Sequence, residues 1–498
     1  MFRAIRLAVT AIVTLAAFPA LADTTPEQAQ ALQQQVRGWI ETSFGLTAAF
    51  LNDLALRVVP ERDHYRISAR LGVMPLFPDT QNDEVSVAAQ ALAGGKWLIF
   101  DGRLPTPMRM RAYVPNAGGA AGAGVAGPLE MLLRFGGMRW DAIVDPSFAT
   151  PSVVSTATSG YELEATAGEL RENAEVANLA GHASLLPVGG GRVDIRDDAW
   201  AEDFSITARG QEPQQSVAAF LGRVEVSGKV TGLLPDRVAA LVQSFTEPPA
   251  NGGLTAPDRS DPSAVLRLLY SKLRGIATGG EFRETLEDVR GAMAGHTVGV
   301  GRLMLGWGID ASGNVLTAHW DFGVNGIAAP DIPPEVQPYV PRHVLVRQSV
   351  SGIDLGDLDA LILAAIARGP EAKLDQPEIA ERVQALFAHG GITSGLDALE
   401  VDVGGTHFEA TGQMTALAPD HVKCQGRVSA TGFDALIAQV RRSPEWGKVA
   451  PFLQLLGMLG KHEGDRIVWT VASDNADLSV NGLDIPALIA AGKQLEKH

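Results

Sequence analysis

The stretch Leu399-Glu400-Val401-Asp402-Val403-Gly404-Gly405-Thr406-His407-Phe408-Glu409-Ala410 decides the fold. Leu399, Val401 and Val403 alternate with acids, the two-residue period of a strand with one face on a core and one in water. Gly404-Gly405 turns the chain, and Thr406, Phe408 and Ala410 return. A two-residue turn sets the register, with Val403 opposite Thr406, Val401 opposite Phe408 and Leu399 opposite Ala410. Both strands then show their apolar residues to the same side, as a hairpin on a core requires.

The same texture extends in both directions. Ile467 to Val471, Ser473-Asp474-Asn475 and then Leu478 and Val480 predict a second hairpin, and Asp310 to Asn314 the turn of a third. Nearer the N-terminus, Tyr65, Ile67, Ala69 and Leu71 alternate with His64, Arg66, Ser68 and Arg70; Met108 to Val114 and Tyr161 to Ala165 behave alike. Helices punctuate the strands. Thr25-Pro26-Glu27-Gln28 is a capping box with proline at the first helical position, followed by Leu32, Val36, Trp39 and Ile40 on one face. Asp261-Pro262 starts another helix, carrying Val265, Leu268, Leu269 and Leu273.

Several pieces recur. Asp321-Phe322-Gly323-Val324-Asn325-Gly326-Ile327 matches Asp477-Leu478-Ser479-Val480-Asn481-Gly482-Leu483, each read as a strand ending in an Asn-Gly turn. The helical starts at Leu358-Asp359-Ala360-Leu361-Ile362, Phe433-Asp434-Ala435-Leu436-Ile437 and, more loosely, Leu483-Asp484-Ile485-Pro486-Ala487-Leu488 also rhyme. Leu234-Pro235-Asp236-Arg237-Val238 follows the strand Val224 to Val230 in the same way. The spacing is irregular, which excludes a solenoid of fixed period.

The expected class is therefore α+β: extended antiparallel β meanders forming curved sheets, covered by short amphipathic helices, with a helix at the N-terminus. Thr246 to Pro262, rich in Pro, Gly and polar residues, is the expected boundary. It divides a β-rich α+β domain over 23–250 from another over 260–498. Gly118 to Gly127, a Gly/Ala run with one valine, has neither the lysine nor the strand-to-helix setting of a phosphate loop and is expected to be a flexible loop.

Residues 1–22 have the three regions of a secretory signal. Arg3 and Arg6 precede the apolar run Leu7 to Phe18, which is too short to span ~30 Å of hydrocarbon as a helix. Ala20-Leu21-Ala22 then offers a small-x-small cleavage site. The expectation is export, cleavage after Ala22 and a soluble periplasmic protein, not an integral membrane one. The formal net charge of −16 becomes more negative still once Arg3 and Arg6 are lost. Such an acidic chain is poorly suited to nucleic acid, whose affinity comes from basic groups, and is repelled by anionic lipid unless a local basic patch intervenes. Cys424 is the lone cysteine, so no intramolecular disulfide forms, and Val422 to Gly426 around it reads as strand.

With these features the chain resembles exported bacterial envelope proteins of the YdgA-like type and, more distantly, AsmA-like proteins. The resemblance rests on the signal, the β meanders with interspersed amphipathic helices, Ser479-Val480-Asn481-Gly482 and the helix-like Pro486-Ala487-Leu488-Ile489, mainly from about residue 220 onward. It implies a periplasmic β-rich protein connected with the envelope and supplies no catalytic residues. The cleavage site departs from that group, where a retained anchor is common.

No motif of chemistry is complete. Gly228-Lys229 has Val230 where a Walker loop needs a hydroxyl, and Gly299-Val300-Gly301-Arg302 lacks the third glycine of a dinucleotide fingerprint. A Gly-x-Ser-x-Gly elbow is absent, and a Ser–His–Asp set dispersed through the sequence is decided only by geometry. The ten histidines are scattered, without His-Glu-x-x-His. Asp194, Asp197, Asp198, Glu202 and Asp203 cluster around Trp200 without EF-hand spacing, and are expected to form a solvated acidic edge. Trp140, Trp307, Trp320 and Trp469 lie in or beside alternating segments and are expected in the core. No catalytic, cofactor-binding or metal-ligating residue is nominated, and no cofactor is implied. The leading expectation is a non-enzymatic envelope scaffold or binding protein, engaging lipid, another apolar ligand or an envelope protein. The alternative is an exported carboxylate-dependent hydrolase of an envelope polysaccharide, using carboxylates such as Asp197 or Asp198.

Overall fold

The computed structural model describes residues 24–44, 54–70, 84–114 (except 94–95), 127–144, 151–209 (except 168–169), 217–238 and 262–484 (except 294–295, 370–372, 374–375, 444–445 and 476). Residues 1–22, expected to be a signal, most of the Gly/Ala run, the expected linker 246–261 and the segment after Asp484 lie outside them. The chain divides into two compact units. The first is Met1–Lys229, Leu233–Ala250 and Leu286–Thr297; the second is Val230–Gly232, Asn251–Thr285 and Val298–His498. One cut, Ala250 to Asn251, falls in the expected linker, but the exchange of Val230–Gly232 and Leu286–Thr297 gives each unit chain from beyond that cut.

In the first unit, helix α1 (Pro26–Phe44) is followed by strands β1 (Arg57–Glu61), β2 (His64–Arg70), β3 (Glu84–Ala91), β4 (Trp97–Arg103), β5 (Met108–Val114), β6 (Gly127–Arg134), β7 (Gly137–Val144), β8 (Pro151–Ala167), β9 (Leu170–Gly189), β10 (Arg192–Arg209) and β11 (Val217–Leu233). The capping box forms as expected: the Gln28 amide donates to Thr25 Oγ1 at 3.3 Å, and the Thr25 amide to Gln28 Oε1 at 3.4 Å. The Tyr65 hydroxyl adds a 2.7 Å bond to the same Gln28 oxygen, tying α1 to β2. Pairing runs β1–β2–β3–β4–β7–β8–β9–β10, all antiparallel. The long β8 takes β7 against its first half and β6 against its second, with β5 on the far side of β6. Ala29, Leu32 and Val36 of α1 pack on Tyr65, Ile67, Val87, Trp97, Ile99 and Trp140 in one core. A second core joins Val85, Met108, Leu133, Tyr161, Leu163 and Val176.

The second unit opens with α2 (Pro262–Leu273), the first part of β12 (Gly279–Met293), most of β13 (His296–Asp310), β14 (Val315–Ala328), β15 (His343–Asp354), α3 (Leu355–Arg368) and α4 (Pro377–Ala385). It continues with β16 (Ile392–Val403), β17 (Thr406–Ala418), β18 (His421–Thr431), α5 (Phe433–Arg442), α6 (Ala450–Leu459), β19 (Lys461–Glu463), β20 (Arg466–Asp474), β21 (Asp477–Val480) and β22 (Leu483–Asp484). From β13 to β18 the strands pair in sequence order as an antiparallel meander, and β20, β21 and β22 continue it. Within the deciding hairpin, Val403 pairs with Thr406, Val401 with Phe408 and Leu399 with Ala410, as the turn length dictates. The hairpins at Asp310–Asn314 and Asp474–Asn475 also form.

The repeats are less alike in space than in sequence. Asn481-Gly482 turns the chain between β21 and β22, whereas Asn325-Gly326 lies inside β14. There Gly326 takes φ +68°, its amide donates to Arg342 O at 2.8 Å, and a Cβ would sit 3.3 Å from the Gly301 amide nitrogen. Its glycine serves close strand approach, not reversal. Leu483-Asp484, expected to open a helix, is strand β22.

The covering by helices is partial. α5 and α6 cover β17, β18 and β20, burying Phe433, Leu436, Ile437 and Val440 with Ala430, Ile467 and Trp469. α3 is capped by Asp354, whose carboxylate accepts the Gly356 and Asp357 amides, yet it buries none of its own residues fully. It is tied instead to α2, through Tyr270 and Arg274 on Asp359 at 2.7 and 2.8 Å. Between α2 and α3 run four consecutive strands with no α-helix among the described residues. No described helix is long and apolar enough to cross a membrane.

Candidate functional site

The register of the second unit sorts its side chains into two faces. One row across the strands is Leu305, Phe322, Val346, Leu399, Ala410, Val428 and Trp469; the next is Trp307, Trp320, Gln348, Leu396, Gly412 and Gly426. Neither row holds an acid or a base. Its one polar side chain, Gln348, accepts a 2.5 Å hydrogen bond from Trp320 Nε1. At the β18–β20 end these rows lie under α5 and α6. Toward β13 and β14 the cover stops: Trp307 is 50% and Trp320 39% exposed, and Leu305, Ile309 and Phe322 are exposed beside them. Phe282 of β12 extends the patch, its ring stacked 6.1 Å from that of Trp307.

This corrects two of the four expected core tryptophans. Trp140 and Trp469 are 2% and 7% exposed, each under helix or sheet; Trp307 and Trp320 have neighbours in their own sheet layer and none described above it. Contiguous exposed apolar surface of this kind is the chemistry that interaction surfaces and ligand grooves use. The signal available in the sequence was the run of four strands without an intervening helix, which leaves nothing local to cover them.

The opposite face of the same strands is polar. Asn325, His343, Asp402, His407, Thr431 and Arg466 stand in register. His343 contacts Asn325 through Nδ1 and Glu400 through Nε2. His407 Nδ1 lies 2.5 Å from Asp402 and Nε2 3.2 Å from Glu409, which also receives Ser429 and Arg466. The bond to Asp402, joined by that to Glu409, raises the His407 pKa above its ordinary 6.5, because the protonated ring donates from both nitrogens. Its partner Glu409 is lowered, chiefly by His407 and further by Arg466 and Ser429. A raised folded pKa contributes stability below the unfolded value and loses it as pH rises through the folded one. The expected result is a falling unfolding midpoint in urea as pH passes upward from about 6.5, a fall that His407→Gln abolishes.

In the first unit, Asp141, Ser155, His182 and Asp198 stand opposite one another across β7, β8, β9 and β10, with Ser155 Oγ 2.9 Å from His182 Nδ1. The residue types are those of a hydrolytic triad. The setting is not: His182 is exposed, and the amides of β8 and β9 lie in ladders on both sides, leaving none to hold an oxyanion. Asp197 and Asp198 are adjacent in β10, opposite Ala183 and His182, so they point to opposite faces and share no cleft there. β9 pairs along the acidic run, while Arg223 of β11 bonds Glu202 at 3.1 Å and lies over Trp200 at 5.6 Å. Cys424 sits in β18 opposite Met414 and Ser473. Among the described residues no three His, Cys, Asp or Glu side chains are placed to hold a metal ion. Comparison with family models, curated proteins and solved structures gives no match to this chain in any of the three.

Proposed function

We propose that this is a periplasmic envelope protein whose role is to bind a lipid acyl chain, or an apolar ligand like one, along the open face of β13, β14 and β15. One observation carries the reading: an uncharged row of Leu305, Trp307, Trp320 and Phe322, left exposed where the helical cover of the sheet ends. An extended hydrocarbon gains about 0.8 kcal/mol for each methylene it buries there, and it needs no polar partner from the protein. The signal-like N-terminus and the resemblance to exported envelope proteins support the location. The hydrolase reading draws no support from any described arrangement of carboxylates.

Native mass spectrometry of the protein purified without detergent, followed by organic extraction, tests the reading. The expected result is a stoichiometric fatty acid or phospholipid, with Phe322→Asp weakening uptake of a palmitoyl probe about tenfold or more, ~1.4 kcal/mol. A clean apo mass together with no uptake of the probe by the wild-type protein would sink the proposal.

A further inference from the structure

Helix α6 has two apolar sides. Its inner side is seated: Ala450, Leu453 and Leu456 pack in the core with Phe433, Ile437 and Trp469, and Trp469 Nε1 donates to Leu456 O at 2.8 Å. Its outer side carries Phe452, Leu455 and Met458, all exposed, Met458 to 83%. A helix of this size normally turns charged residues to water, yet Val449 to Gly460 contains none. Charge is confined to the flanks, where Arg441, Arg442, Lys448 and Lys461 stand against one acid, Glu445. In a chain of net charge −16, the segment 441–461 is locally basic. Trp446, half-exposed, stands at the entry to the helix with its ring 6.4 Å from that of Tyr339.

We infer that α6 docks the protein on an anionic phospholipid surface. An apolar helix side bordered by cations and an indole is the arrangement of interfacial helices, which lie in the membrane plane with the apolar side among the acyl chains. Over about 15 Å of helix, Phe452, Leu455 and Met458 enter the acyl region while Arg441, Arg442 and Lys448 meet the phosphates. Lys461, 3.5 Å from Glu463 in an exposed pair, exchanges that partner for lipid. The arrangement disfavours a second copy of the chain as occupant, since a two-fold contact here sets the same cations against themselves. It also removes the electrostatic objection to membrane contact, because attraction depends on the local patch within a Debye length and not on the net charge.

Sedimentation with sucrose-loaded vesicles tests the inference, comparing phosphatidylcholine alone with a mixture containing phosphatidylglycerol. The full protein is expected to bind the mixed vesicles about tenfold or more tightly than the neutral ones at low salt, with the preference shrinking as salt rises. The double variant F452D/M458D, altered only at outward positions, is expected to lose binding about tenfold or more, with the unfolding midpoint kept. R442E/K448E, at two exposed cations, should lose the preference for the anionic mixture. Phe322→Asp should bind vesicles as the wild type does, which separates docking from ligand capture at the sheet. The inference is overturned if the wild type does not sediment with the mixed vesicles, or if F452D/M458D sediments like it. It is equally overturned by a wild-type dimer in sedimentation velocity that F452D/M458D dissolves.

Discussion

Gly102→Ala is expected to lower the stability of the N-terminal unit by about 3–5 kcal/mol, as much as deleting a core aromatic. A Cβ at Gly102 would lie 1.2 Å from Trp140 Nε1 and 1.7 Å from Cε2, so the indole lies flat against the β4 backbone. The Gly102 φ is not in the left-handed region, which leaves steric exclusion as the cause. Trp140 has no room to move aside, since it is packed in one core with Trp97, Ile99, Ala142 and Tyr65. Adding one methyl therefore ejects a tryptophan. Urea unfolding monitored by tryptophan emission reads the loss. Trp140→Leu in the Gly102→Ala background should cost less than it does alone, a coupling of about 1–3 kcal/mol. A Gly102→Ala protein within about 0.5 kcal/mol of the wild type, the range of surface changes, would contradict this packing.

Phe433→Ala, in the helix that covers the apolar face, should cost the C-terminal unit about 3–5 kcal/mol, while Phe322→Ala, on the uncovered part of that face, changes stability by less than about 1 kcal/mol. Phe433 is 4% exposed at the start of α5. Its ring meets Phe408 at 6.1 Å and Trp469 at 5.4 Å, both edge-on, the geometry in which aromatic quadrupoles attract. It also carries α6, because the Cβ position of Gly457 lies 3.6 Å from the Phe433 ring. Phe322 has sheet neighbours on its flanks and an open side above. The contrast between the two phenylalanines measures the difference between a covered and an uncovered part of one apolar face. Equal losses for both would mean that the face is closed over Phe322, and the ligand proposal would fall with that result.

The elements were legible wherever a local rule is sufficient. Thr25 and Gln28 form the box their spacing implies, and Gly404-Gly405 sets a register that then propagates by alternation along β16 and β17. Met108–Val114 is a strand with the limits its texture suggests. Where a glycine has two possible uses the sequence was misleading: Asn325-Gly326 and Asn481-Gly482 are the same dipeptide, one within a strand and one at a turn.

The candidate site was not legible, for a physical reason. The two-residue period puts Leu305 and Trp307 on one side of β13, and Trp320 and Phe322 on one side of β14; the register, Leu305 against Phe322 and Trp307 against Trp320, brings the two pairs onto the same side. Whether the side is core or surface depends on what lies above it, and α5 and α6, more than a hundred residues further along the chain, cover β17, β18 and β20 among the described residues. The same holds for Ser155, His182 and Asp198, for His343 and His407, and for the outer side of α6. Local backbone preference and side-chain period determine strands, helices and register, because those terms act between near neighbours. Exposure and proximity are decided by tertiary packing, because burial sums contacts from segments that no sequence interval relates.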